Sequence, residues 1–104
     1  MKCTEDFNRF DELLNVVTGE IVNSIKSDLE HAGIGPDKLE ELTSNIAFGV
    51  GAIIDGSRVM YHKGKKIQPF LAFEITEGEL LHSGGSWIHE YTMGWVEAAF
   101  EDKS

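Results

Sequence analysis

An α+β domain is predicted by changes of hydrophobic period along the chain. Apolar residues recur every three or four positions up to residue 44, alternate from 45 to about 83, and return to a helical spacing after 86. A length of 104 residues suits one domain with one core, spanning 1–104. The predicted order is a long N-terminal helix, a short second helix, a three- to four-stranded antiparallel meander and a C-terminal helix packed on the sheet.

The long helix is read from Phe7, Phe10, Leu13, Leu14, Val17, Ile21, Ile25 and Leu29, which mark one face over residues 7–32. Gly33, Gly35 and Pro36 end it, since glycine accepts a left-handed cap and proline suits the first turn of a following helix. That helix is predicted over 36–44, with Leu39 and Leu42 as its apolar contacts. From Ile46 the period is two: Phe48, Val50, Ala52 and Ile54 alternate with Ala47, Gly49, Gly51 and Ile53, so 45–54 is expected as the first strand. Asp55-Gly56 then reads as a hairpin turn into a second strand over 58–63. Gly64 turns into a third over 67–75, in which Pro69 requires an edge or a bulge. A fourth is expected over 79–83. Helical spacing of Trp87, Ile88, Tyr91, Trp95, Ala98 and Ala99 opposite Glu90, Glu97 and Glu101 predicts the last helix over 87–102, with Ser86 as its cap. The element order resembles that of small cone-shaped α+β folds of the nuclear-transport-factor-like kind, a likeness without any residue motif. It implies a scaffold used by ligand-binding proteins and enzymes alike.

The formal net charge is −9, which repels polyanions and argues against nucleic-acid and anionic-membrane binding. Arg58, Lys63, Lys65 and Lys66 stand in a stretch, 58–66, without an acidic residue. Its +4 within a chain of −9 leaves −13 on the rest. These four are candidates for an anion-binding patch, or lysines that protect a sheet edge. No apolar run is long enough to span a bilayer. The acidic start of the chain does not read as a secretory signal, and the single cysteine, Cys3, suits a reducing cytoplasm.

Chemistry is harder to read. His89-Glu90-Tyr91-Thr92-Met93 begins like a zinc-protease helix and lacks its second histidine, so no metal and no cofactor are expected. Gly84-Gly85-Ser86 lacks the lysine of a phosphate-binding loop. Asp55 is assigned to its turn. The aromatic richness of residues 48–100 admits a pocket between the sheet and the last helix for a small apolar or aromatic ligand, with Tyr61, Glu74, His82, Trp87, His89 and Glu90 as candidate lining. Two functions follow: a non-enzymatic binding or assembly module working as a homodimer, or a small-molecule-binding or hydrolase-like protein using that pocket. The homodimer is expected because a first strand apolar on both faces needs cover on both.

Overall fold

A computed structural model describes residues 2–101. Its first element is a four-residue strand, β1 (Lys2–Glu5), which the sequence pattern does not signal. Helix α1 (Phe7–His31) follows at once. Asp6 caps it by accepting from the backbone N–H of Arg9 at 3.2 Å. The helix closes as anticipated: Gly33 adopts φ 87°, its N–H bonds the Glu30 carbonyl and that of Ile34 bonds Leu29. These two bonds satisfy carbonyls that the helix end would otherwise strand.

Pro36 opens α2 (Pro36–Ile54), and here the structure corrects the sequence reading. The expected short helix and first strand are one helix. Its buried stripe is Leu39, Thr43, Ala47 and Gly51, a four-residue interval. The residues are small because α2 and α3 cross closely: a Cβ on Gly51 would lie 2.9 Å from the backbone N of His89 and from Ile88 Cγ2. Small residues alternating with Ile46, Phe48 and Val50 imitate a strand, while Ile46, Phe48 and Ile53 are exposed. Asp55-Gly56 is likewise no hairpin turn. Asp55 caps α2, Gly56 takes φ 76°, and the N–H groups of Gly56 and Ser57 bond the carbonyls of Ile53 and Ala52. The second helix thus ends with the same hydrogen-bonding pattern as the first.

Beyond it, β2 (Met60–His62) and β3 (Lys65–Ile67) form an antiparallel hairpin. The turn residues Lys63 and Gly64 both have positive φ, 50° and 78°, as a tight hairpin matched to strand twist requires. The expected third strand divides into β3 and β4 (Phe73–Thr76), and Pro69 lies in the irregular stretch between them. β4 pairs antiparallel with β5 (Glu79–His82) through an irregularity between Glu74 and Thr76. β5 also pairs in parallel with β1, Lys2 opposite Glu79 and Glu5 opposite His82. A mixed sheet of order β1-β5-β4 and a separate hairpin therefore replace the expected meander. The cone-shaped likeness, which relied on that meander, does not extend to this topology.

Helix α3 (Ile88–Ala99) follows where the last helix was expected, with Trp87 rather than Ser86 at its cap position; it ends before Phe100, and residue 102 of the expected span lies outside the described residues. Phe10, Leu14, Leu81 and Ile88 join α1, the sheet and α3 in one apolar cluster. Val22, Ala47 and Val96 join the three helices in another. The fold is thus α+β, three helices with a small sheet, and α3 packs on that sheet. Among the described residues no helix is long and apolar enough to cross a membrane.

Candidate functional site

The end of α2 and the start of α3 meet around one carboxylate. Asp55 has a side chain 1% exposed, and a carboxylate so far from water is tolerated only where donors surround it. Three do. Its Oδ2 accepts from the backbone N–H of His89 at 2.8 Å and lies 2.6 Å from His89 Nδ1; its Oδ1 accepts from the Ser86 hydroxyl at 2.5 Å. An ionised carboxylate only accepts, so His89 carries a proton on Nδ1. In the neutral ring, Nε2 then holds the lone pair. The Ser57 hydroxyl stands 3.2 Å from the same Nδ1. Nucleophilic relay by serine needs serine and carboxylate on opposite ring nitrogens, so this group is an oriented imidazole and not a Ser-His-Asp triad. Phe48 meets the ring edge-on at 5.8 Å.

A second polar cluster involves Trp87 and Tyr91, two residues to either side of His89, on the side of α3 facing α1. Asp11 Oδ1 accepts from the Tyr91 hydroxyl and, at 3.3 Å, from the Trp87 indole N–H. Burial, and then the bond to Asp11, raise the Tyr91 phenol above its ordinary value. Trp87 stacks on Phe7 at 5.3 Å. Beside this cluster an open groove of about 370 Å³ is lined by Asn15, Glu90, Tyr91, Gly94, Trp95 and Ala98.

The expected lining residues do not converge. Trp87, His89 and Glu90 are near neighbours in sequence but point three ways: Trp87 toward α1 and the sheet, His89 toward Asp55, Glu90 into the groove against α1. His82 ends β5, where its Nδ1 accepts from the Gly84 N–H at 3.2 Å and its ring lies 5.7 Å from Phe70. Glu74 is exposed on β4, and Tyr61 is exposed on the hairpin. The space between sheet and α3 is filled by Phe10, Leu81, Ile88 and the aromatic side chains packed on them. The residues of the expected anion patch are all exposed, Lys63, Lys65 and Lys66 on the hairpin and Arg58 before it, against the end of α2. Among the described residues no cluster of three or more His, Cys, Asp or Glu has metal-binding geometry. The sequence reading missed Asp55, Asp11 and Ser86 as site residues. A hint was available for the first: an aspartate at a helix end and a serine just before another helix are both capping residues. Neither a protein family, nor a curated protein, nor a solved structure matches this chain.

Proposed function

We propose that this chain is a non-enzymatic assembly module that works as a complex of identical subunits in a reducing cytoplasm. The observation that carries the reading is its surface. A folded monomer of this mass exposes about 5,800 Å², whereas this chain of 11.6 kDa exposes 6924 Å². A compact domain of this length has a radius of gyration near 13 Å; here it is 15.8 Å, with a shortest dimension of only 20 Å. The excess is comparable to what each partner contributes to a standard interface, roughly 800 Å². Part of it is apolar: Phe48, Val59, Tyr61, Phe70 and Met93 are each between 49% and 68% exposed. A homodimer thus keeps its support on grounds other than the strand that first suggested it. Sedimentation velocity across the micromolar range tests the reading: a dimer is expected, and a monomer throughout overturns it.

The second reading, a small-molecule-binding or hydrolase-like protein, rests on the oriented His89 imidazole. With Nδ1 held by Asp55, a neutral ring keeps its lone pair on Nε2, as a general base requires. Hydrolysis of activated esters, lost in His89→Gln while Ser57→Ala retains it, would favour this reading; equal rates for the wild type and His89→Gln would count against it.

A further inference from the structure

The hairpin β2–β3 is an arm. Residues 61–68 are exposed throughout, and the arm packs substantially against neither the helices nor the mixed sheet. A lone two-stranded hairpin is marginal in water. This one carries Val59, Tyr61 and Ile67 at 59%, 68% and 46% exposure, with Arg58, Lys63, Lys65 and Lys66 alongside. It combines apolar contact area with a charge opposite to that of the rest of the chain. The counterpart is a groove of about 510 Å³ between α2 and α3, whose lining includes Asp37, Glu40, Glu41 and Ser44 on the α2 side and Met93 and Val96 on the α3 side. Met93 is 53% exposed there. Lys38 neutralises part of Glu41 at 3.7 Å, which leaves Asp37 and Glu40 facing the opening.

Resting on the reading of the chain as a self-assembling module, we propose that the basic arm of one subunit docks in the acidic α2–α3 groove of a second copy, and reciprocally. The arm leaves the C-terminal end of α2, whereas the acidic part of the groove lies about 22 Å back along that helix, at 1.5 Å per residue. Its own arm touches α2 at its base, where the Arg58 N–H bonds the Ala52 carbonyl at 3.2 Å and the guanidinium reaches Gly49. A two-fold axis that sets the α2 helices of two copies antiparallel brings each arm, about 13 Å long at 3.3 Å per residue, to the acidic end of the other groove. That arrangement is isologous, as a closed dimer requires. It covers Tyr61 and Met93 together and pairs the +4 segment with the body that carries −13.

Charge reversal with complementation tests this in the full-length chain. The arm variant Lys63→Glu/Lys65→Glu/Lys66→Glu and the groove variant Asp37→Lys/Glu40→Lys change exposed side chains, so both retain the wild-type circular dichroism spectrum; the groove variant melts lower in addition, because Asp37 lies in the first turn of α2. Each alone is expected to weaken the dimer by about tenfold or more, because like charges face each other across the interface. An equimolar mixture is expected to restore a dimer, now a heterodimer, since each arm again meets a groove of opposite sign. Raised salt should weaken the wild-type dimer and the mixture alike. Variants that remain dimeric overturn the docking proposal and leave self-assembly standing. A wild type that is monomeric overturns both. Arm-dependent retention on heparin without any effect on dimerisation assigns the arm to a polyanionic partner, which also overturns the proposal.

Discussion

The carboxylate of Asp55 caps a helix that begins more than thirty residues away: its Oδ2 holds the backbone N–H of His89 at 2.8 Å in the first turn of α3 while its own backbone closes α2. One side chain thereby ends one helix and starts another. Asp55→Ala strands the Ser86 hydroxyl and the His89 N–H and is expected to cost about 3 kcal/mol in urea unfolding, within the range for losing a buried charged hydrogen-bond partner. Ser86→Ala, which removes a single donor, should cost about 1 kcal/mol. Equal midpoints for Asp55→Ala and the wild type, at one protein concentration, would show that the cap contributes nothing.

Gly51 in α2 and Gly94 in α3 should respond in opposite directions to alanine. At Gly51 the new methyl group meets backbone at 2.9 Å, so α2 and α3 must separate, at a cost of about 1–3 kcal/mol that outweighs better helix propensity. At Gly94 nothing stands within 4 Å, and propensity acts alone, for a gain of about 0.5–1 kcal/mol. Thermal melts of the two variants read the sign directly.

Thr43 is fully buried, and its hydroxyl has no hydrogen-bond partner, unlike Thr18 and Thr92, which bond the carbonyls of Leu14 and Ile88. Thr43→Val keeps the shape and removes an unsatisfied polar group. A stabilisation of about 1 kcal/mol is expected, read as a higher urea midpoint with an unchanged slope.

Tyr91 supplies a pH dependence. Its phenol is raised above 10.0, first by burial and then by the bond it donates to Asp11. A folded-state value above the unfolded one means that the contribution is complete below the unfolded value and is lost as pH climbs through the folded one. In Tyr61→Phe, which leaves one tyrosine, ultraviolet titration should show ionisation displaced upward from that of a free phenol. Asp11→Asn should return it toward the ordinary value.

Much of this fold was legible because apolar spacing tracks burial where the buried residues are large. Phe10 and Leu14 announced α1, and Ile88 announced α3. The stripe of α2 could not be read that way: Thr43, Ala47 and Gly51 are weakly hydrophobic or polar and are buried because a neighbouring helix comes close. Their four-residue interval was the available signal. β1 left no signal, as its residues are mostly exposed and its partner lies at 79–82. Of the candidate site, His89 was singled out, but its orientation depends on Asp55, a contact across 34 positions that local pattern does not encode.

The pairing of β1 with β5 carries a consequence for synthesis. Cys3 stands opposite Leu80 in the parallel ladder, so the strand that precedes α1 has no partner until residues 79–82 have been made. Helix α1 can form on the ribosome from local contacts, yet Phe10 and Leu14 must wait for Leu81 and Ile88 to complete their cluster. A nascent chain halted within α2 therefore presents an amphipathic helix with an uncovered apolar face. Chaperone capture and proteolysis should be greatest in that interval, since closure of so long a loop has to precede the contacts that stabilise it.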